Sequence, residues 1–196
     1  MTTENTKGNW LGSNLALGLL VTLLSVFTAL TNYSTYKAGN EASDLKAEGD
    51  RQLANSNTEY ISASQFIIVD YNMYDNYYVN VDVDDTKAEY YQSQFSDDLT
   101  ASVGRDDPFD DQYYDAMYKD AEDLFNEAFA TFDQAQVLDD KEGGFQFAML
   151  ISAVGLSFAA YASLLEEKNR LRSVFAVLSI VAFVLSIIQY VTIVLG

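Results

Sequence analysis

The sequence DDLTASVGRDDPFDDQYYDAMYKDAED, residues 97–123, lies within an acidic segment that runs from about Ser34 to Gly144. The segment contains 26 of the chain's 29 Asp and Glu residues but only seven of its 11 Lys and Arg residues, which leaves a net charge of −19. So many charged groups cannot enter the hydrocarbon of a bilayer, yet an uncharged apolar run adjoins each end of the segment. The sequence therefore predicts a water-exposed acidic domain that is attached to a membrane at both ends.

Three apolar runs are long enough to cross a bilayer, since a helical span needs about 20 apolar residues. The first occupies residues 10–33 and has Trp10 and Tyr33 at its ends, where an interfacial aromatic belt would lie. The second and third occupy residues 145–165 and 173–195. The first run is too long for a signal peptide and lacks its cleavage site, so it is predicted to be a retained span.

The positions of the cationic residues predict the orientation. The short turn at residues 166–172 contains three Lys and Arg residues, and the tail at residues 1–9 contains Lys7 and the terminal amino group. Both segments face the same side in a three-span chain, and the positive-inside rule assigns that side to the cytoplasm. We therefore expect a multi-pass plasma-membrane protein whose residues 34–144 and C-terminus lie outside the cell.

The acidic segment has the periodicity of a helical hairpin. Two seams run along it with intervals of three and four residues, after one first interval of seven, and no Pro interrupts either seam. The first seam contains Leu53, Tyr60, Ser64, Ile67, Tyr71, Tyr74, Tyr78 and Val81, and the second contains Tyr113, Met117, Ala121, Leu124, Ala128, Thr131, Ala135 and Leu138. The predicted fold is an all-α membrane protein with three transmembrane helices. A long extracytoplasmic helical hairpin, a coiled-coil-like bundle, is inserted between spans 1 and 2.

Local signals predict the ends of the helices in this hairpin. A capping box of Thr86 and Glu89 predicts the start of one short helix over the seam from Ala88 to Ser102, and Asp107 before Pro108 predicts the start of the returning helix. Residues 77–84 alternate between apolar and polar, as in a strand, but we prefer a frayed helix end because no partner strand is evident. The glycine pair before residue 145 predicts an interruption between the acidic domain and the second span.

The composition excludes several classes of chemistry. The chain has no Cys and no His, so disulfides, thiolate metal sites and histidine general bases are absent, and we expect neither a cofactor nor an enzyme. The excess of Asp (19 residues) over Glu (10 residues) resembles the composition of proteins adapted to high salt, and fits an external surface that attracts cations equally well. The strong negative field would repel nucleic acid.

Clusters of carboxylates are candidates for binding cations such as Ca²⁺. The stretch from Asp82 to Asp85 resembles the start of a calcium loop, but it lacks the turn glycine and the distal Glu. Helix caps and solvated surface therefore account for these side chains better than a specific metal site does. The candidates are Asp82, Asp84, Asp85, Asp106, Asp107, Asp110 and Asp111.

Small residues recur at helical intervals along all three spans. They indicate either close helix–helix packing or, in an oligomer, the lining of a polar pore, and packing is favoured because no span contains an ionisable residue. The first span contains Gly18, Thr22, Ser25, Ala29 and Asn32. The candidates for packing or pore lining in the other spans are Ala148, Ser152, Gly155, Ala159, Ser179, Ser186 and Gln189.

Tyrosines are dense for a polar domain. They are expected mainly to fill the hairpin seams while their hydroxyls remain hydrated, although a face that binds a glycan or a partner is the alternative. The group comprises Tyr71, Tyr74, Tyr77, Tyr78, Tyr90, Tyr91, Tyr113, Tyr114 and Tyr118.

Three local features accompany the layout of the chain: Asn40-Glu41-Ala42 after the first span, the helical stretch Ala54–Tyr60, and the basic turn after the second span. With one N-terminal span, a long polar helical insert and two closely spaced C-terminal spans, the chain resembles a family of prokaryotic three-span membrane proteins of unknown function. The resemblance covers most of the chain by layout and few residues by motif. It implies a membrane protein that forms oligomers, and it implies no activity and no catalytic residue.

Three functional hypotheses follow from these features. We expect a non-enzymatic integral membrane scaffold or accessory subunit that self-associates and displays an acidic helical ectodomain. The alternative is an oligomeric channel or cation-gathering module in which the acidic domain acts as an electrostatic funnel. An enzyme with paired carboxylates, such as a glycoside hydrolase, has the least support, because no pair stands out among the many acids and a narrow hairpin offers little concave pocket. The expected partners are membrane lipid, other copies of the chain and cations.

Overall fold

The structure is a computed structural model that describes residues 13–196, so the predicted cytoplasmic tail and the first residues of the first span lie outside the described residues. The described residues form helices and no strand, which confirms the all-α prediction. The helices are α1 (Asn14–Asn80), α2 (Asp85–Gln92), α3 (Asp97–Ser102), α4 (Asp111–Leu164) and α5 (Arg170–Leu195). Three of them, α1, α4 and α5, contain stretches long and apolar enough to cross a membrane, as in a multi-pass membrane protein.

The glycine pair at residues 143 and 144 does not interrupt the helix, contrary to the prediction. Helix α4 continues through the pair to Leu164. Two glycines inside a helix cost about 2 kcal/mol relative to alanine. Close packing offsets this cost at Gly144, where an added Cβ would lie 2.8 Å from Cδ1 of Ile193. Gly144 therefore marks a helix contact, and the pair is not a helix end.

The segment between α1 and α4 contains two short helices where one was predicted. Asp84, and not Thr86, is the N-cap of α2, since its side chain accepts a hydrogen bond from the backbone N–H of Lys87. After α2 ends, Ser96 caps α3 by accepting a hydrogen bond of 3.1 Å from the N–H of Leu99. The second cap breaks the predicted seam because Ser96 has extended backbone angles.

Two further helix starts differ from the prediction by a few residues. Helix α4 begins at Asp111, and Asp110 accepts a hydrogen bond of 2.9 Å from the N–H of Tyr113, so Pro108 lies before the helix. Helix α5 begins at Arg170, inside the predicted turn, because Asn169 caps it by accepting a hydrogen bond from the N–H of Leu171. In both places a polar side chain one residue before the helix determines where the helix begins.

The chain divides into two compact units. Unit 1 comprises residues 1–44 and 134–196, and unit 2 comprises residues 45–133. Unit 1 contains the apolar stretches of α1, α4 and α5, and unit 2 lies within the predicted acidic domain. Unit 2 has 21 Asp and Glu residues and five Lys and Arg residues, which leaves a net charge of −16.

In unit 2, the buried face of α1 differs from the predicted seam. Tyr60, Tyr71 and Tyr78 are exposed, and the interior is formed largely by small or polar residues. The buried residues on this part of α1 are Gly49, Gln52, Ser56, Ala63, Ile67 and Asp70. Small side chains allow α1 and α4 to approach closely: a Cβ added to Gly49 would lie 2.6 Å from Cε1 of Phe132. The seam predicted on α4 is correct for Tyr113, Ala121, Ala128 and Thr131, which are buried.

Candidate functional site

A buried carboxylate joins three elements of unit 2. Asp70 on α1 is 2% exposed. Its Oδ1 accepts a hydrogen bond of 3.0 Å from the N–H of Ser96, and its Oδ2 accepts bonds from the Ser96 hydroxyl (2.5 Å) and the Tyr113 hydroxyl (2.8 Å). Ser96 caps α3 and Tyr113 lies in the first turn of α4, so one side chain holds α1, α3 and α4 together. Hydrogen bonds to an ionised group are the stronger kind.

An apolar cluster adjoins this carboxylate through Tyr113. Ile67, Leu99 and Tyr113 are buried together, and partly buried aromatic rings and one methionine pack around them. The surrounding side chains are Tyr74, Phe95, Phe109, Tyr114, Met117 and Tyr118. Because Asp70 accepts hydrogen bonds from donors on two other elements, the arrangement is that of a structural link between helices.

Two tyrosine hydroxyls in this region have perturbed acidities. Burial, followed by the hydrogen bond to Asp70, raises the pKa of Tyr113 well above the ordinary tyrosine value. The hydroxyls of Tyr71 and Tyr114 lie 2.5 Å apart, and this hydrogen bond raises the pKa of Tyr114 to about 12. In both cases the neutral phenol is the form that the folded protein stabilises.

Unit 2 is therefore expected to lose stability at alkaline pH. The folded state holds the Tyr114 proton more tightly than the unfolded state, so its contribution is complete below the ordinary tyrosine pKa and disappears as the pH rises through about 12. Denaturant unfolding followed by near-UV circular dichroism across this range should show the decline. Tyr114→Phe should make the decline shallower, whereas Tyr78→Phe, at an exposed position, should leave it unchanged. The same decline in both variants would contradict the assignment.

Carboxylates line one side of the α1–α4 contact in unit 2. Two cavities of about 320 Å³ each share Glu59 and Asp120 in their walls. The carboxylates around them, which we call the acidic groove, are Glu59, Asp97, Asp98, Asp120, Asp123 and Glu127. Residues 13–196 nevertheless contain no group of three or more acidic side chains placed to hold a metal ion. The acidic groove concentrates negative charge without forming a coordination shell.

The carboxylates predicted to be metal candidates lie around the two ends of the α2–α3 segment. Asp82, Asp85, Asp106, Asp107 and Asp111 are exposed, and Asp84 and Asp110 are half-buried. Asp84 caps α2 and pairs with Lys87, and Asp110 lies 2.8 Å from Nε of Arg105. The structure thus gives two of them capping and ion-pairing roles and does not gather the set into one site.

The small residues predicted on the second and third spans lie inside unit 1. Ala148, Ser152, Ala159, Ser179 and Ser186 are fully buried. Ser152 lies 2.8 Å from the hydroxyl of Thr28, and Ser179 donates a bond of 2.7 Å to the carbonyl of Gly155. Gln189 is half-buried. These contacts favour helix packing over pore lining for the stripes of α4 and α5.

The stripe predicted on the first span lies on a different face of α1 from the residues that pack inside unit 1. Its members, Gly18, Thr22, Ser25, Ala29 and Asn32, are exposed. The face of α1 that packs inside unit 1 instead contains Leu17, Leu24, Thr31, Thr35, Ala38 and Ala42. Helix α1 therefore has a second stripe of small and polar residues, which the described residues leave uncovered.

One end of unit 1 is held together by Arg172, which was predicted to lie in the basic turn at residues 166–172. Arg172 is buried in the first turn of α5 and donates hydrogen bonds to the carbonyl of Leu165 (2.6 Å) and to Oδ1 of Asn14. The start of α1 and the turn between α4 and α5 therefore lie at the same end of unit 1. The carbonyls left free at the end of α4 give this cation a partner.

We compared the chain with protein-family models, curated proteins and solved structures. None matches. The resemblance to the three-span family therefore stays a prediction.

Proposed function

We propose that the protein is a non-enzymatic membrane scaffold or accessory subunit. It would associate with copies of itself through unit 1 and display the acidic unit 2 outside the plasma membrane. The observation that carries the proposal is the uncovered stripe on α1, which runs from Gly18 to Asn32 at intervals of four and three residues. The equivalent stripes of α4 and α5 already pack within unit 1.

Packing in a bilayer supports this use of α1. Lipid chains are as apolar as leucine, so helices associate there through close backbone contact and interhelical hydrogen bonds. Gly18 has open space, with nothing within 4 Å of an added Cβ. Asn32, at the other end of the stripe, is an exposed amide that a neighbouring helix would satisfy better than lipid would.

Charge on unit 2 opposes the proposed association and makes it dependent on salt. Two copies of unit 2, each with a net charge of −16, repel each other. At 1 M salt this repulsion is screened at distances beyond a Debye length of about 3 Å. We expect oligomers in mild detergent to become more stable as the salt concentration rises. A wild-type protein that stays monomeric at high salt would exclude self-association as its function.

Two leucine substitutions in the α1 stripe test this interface. The double variant Gly18→Leu/Ala29→Leu should weaken association by roughly tenfold or more, because bulky side chains prevent close backbone approach. Ser157→Leu/Ala160→Leu is the matched control, since both positions are exposed small residues on α4. Solution masses across a dilution series in nanodiscs or mild detergent measure both. Equal weakening in both variants would show that the α1 stripe is not the interface.

The alternative function, an oligomeric channel, would use the same face of α1 as a pore lining. Thr22, Ser25 and Asn32 are polar and exposed, as the lining of a pore between subunits would be. Ion flux through liposomes that contain the intact oligomer distinguishes the two functions. Flux that the Asn32→Leu variant abolishes would support a channel, whereas an intact oligomer without flux supports the scaffold.

A further inference from the structure

An aromatic-walled pocket lies beside the α1–α4 contact in unit 2. Its volume is about 300 Å³, at the lower end of the range for small-molecule sites. The lining residues are Ser56, Asn57, Tyr60, Ala121, Glu122 and Phe125. The α4 residues that line the acidic groove, such as Asp120 and Asp123, lie on the other side of the contact by helical register. The pocket is thus separate from the acidic groove.

The floor and walls of the pocket are held in place by contacts within unit 2. Ser56 is buried and donates a hydrogen bond of 2.7 Å to the carbonyl of Ala121, which closes the floor. The ring of Tyr60 stacks on that of Tyr118, with a centroid distance of 4.7 Å and an interplanar angle of 17°. The ring of Phe125 lies 4.6 Å from that of Phe129. Both wall rings are therefore supported before any ligand arrives, which lowers the cost of ordering them.

The lining specifies the charge of a ligand. Tyr60 is 55% exposed and Phe125 is 46% exposed, so both wall rings are open to solvent. Glu122 is an exposed carboxylate, and no Lys or Arg lines the pocket. Aromatic faces carry negative potential and attract cations, and the net charge of −16 on unit 2 raises the local concentration of any cation.

The same lining distinguishes between cations. A Ca²⁺ or Mg²⁺ ion needs six or more oxygen ligands, whereas the side chains of this pocket offer one carboxylate, the Asn57 amide and the Ser56 hydroxyl beside two rings. An alkylated ammonium ion presents a diffuse positive charge on an apolar surface, which suits ring faces. We propose that the pocket between Tyr60 and Phe125 binds a small organic cation of the quaternary or alkylated ammonium class, with Glu122 as its counter-ion.

Titration of the full-length protein in a maltoside detergent tests the proposal. The probes are tetramethylammonium, choline and 3,3-dimethyl-1-butanol, the neutral isostere of choline. Isothermal calorimetry or shifts of tyrosine and phenylalanine ring NMR signals should show saturable binding of the two cations. The neutral alcohol should not bind measurably, and sodium should compete only as a screening ion. Saturable binding of the alcohol to the same extent as choline would show an apolar pocket and would overturn the proposal.

Two matched pairs of variants locate the site. Phe125→Leu and Glu122→Gln should each weaken choline binding by roughly fivefold, the size of one cation–π contact or one exposed charge contact. The controls are Phe66→Leu, at a ring that is 58% exposed beside the acidic groove, and Glu127→Gln, a carboxylate of that groove. Both controls should bind choline as the wild type does.

Three results would overturn the assignment. Equal weakening in Glu122→Gln and Glu127→Gln would mean that the cations form a diffuse atmosphere around unit 2. Unchanged binding in Phe125→Leu would remove the ring from the site. Binding of a methyl glucoside in place of choline would make the pocket a sugar site. None of these results depends on whether unit 1 self-associates.

Discussion

Asp70→Asn is expected to destabilise unit 2 by about 3 kcal/mol, since buried hydrogen bonds to a charged group contribute about 1.5–3 kcal/mol each. The carboxylate accepts three hydrogen bonds and donates none. An amide would keep one acceptor oxygen and direct an NH₂ group at donors that already face the site. The change would therefore weaken the link between α3 and α1 through Ser96.

Denaturant unfolding followed by near-UV circular dichroism measures the global effect of this change. Hydrogen exchange at the Ser96 amide measures the local effect, because that N–H bonds directly to Oδ1 of Asp70. Asp75→Asn, on the exposed face of the same helix, is the control and should change stability little. Tyr113→Phe removes one of the three donors and should cost about 1–2 kcal/mol. If Asp70→Asn and Asp75→Asn behave alike, the link between the three helices does not stabilise unit 2.

The largest effect in unit 1 is expected for Gly155→Leu. An added Cβ would lie 3.0 Å from Cβ of Ala182, 3.2 Å from Cδ2 of Leu24 and 3.4 Å from the carbonyl oxygen of Ser179. The rest of a leucine side chain has no room between the three helices. Overpacking of this kind costs about 1–3 kcal/mol and occasionally more, and it would also break the hydrogen bond that Ser179 donates to the Gly155 carbonyl.

Gly143→Leu is the size-matched control on the same helix. Nothing lies within 4 Å of an added Cβ at Gly143, so the same side chain meets no clash there. Thermal denaturation and size-exclusion chromatography in detergent should separate the two variants, with Gly155→Leu melting lower or aggregating. Gly155→Ala should fall between, because the Ala182 methyl group has to move by a few tenths of an ångström. A Gly155→Leu protein as stable as the control would show that unit 1 tolerates helix separation.

The helical fold and three candidate spans were predictable because they depend on coarse properties of the sequence. Uncharged runs of about 20 residues predict spans whatever their neighbours are. The end of α1 near Asn80 was also predicted, since an alternating stretch with no partner strand cannot form a sheet. The glycine pair was misinterpreted because intrinsic helix propensity ignores packing. At residue 144 the side chain of Ile193 occupies the space that a Cβ would need, which favours glycine there.

The buried face of α1 was not predictable from large apolar residues alone. The tyrosines at positions 60, 71 and 78 follow heptad spacing, yet they are exposed while small residues at 56 and 63 are buried. In a close helix pair the size of the side chain decides which face is buried. Asp70 was also missed, although it is the only charged residue in the stretch from Tyr60 to Tyr74. A lone carboxylate in such a stretch is a signal for a buried, hydrogen-bonded group.

The contact between Arg172 and Asn14 has a consequence for biosynthesis. Its partners are separated by 158 positions, and all of unit 2 is translated between them. Helix α1 can therefore make its contact with α5 only after nearly the whole chain has been translated, since contacts between distant positions form late. A chain that stops before α5 would leave Asn14 without Arg172 and the ring of Phe27 without the rings of Phe183 and Tyr190.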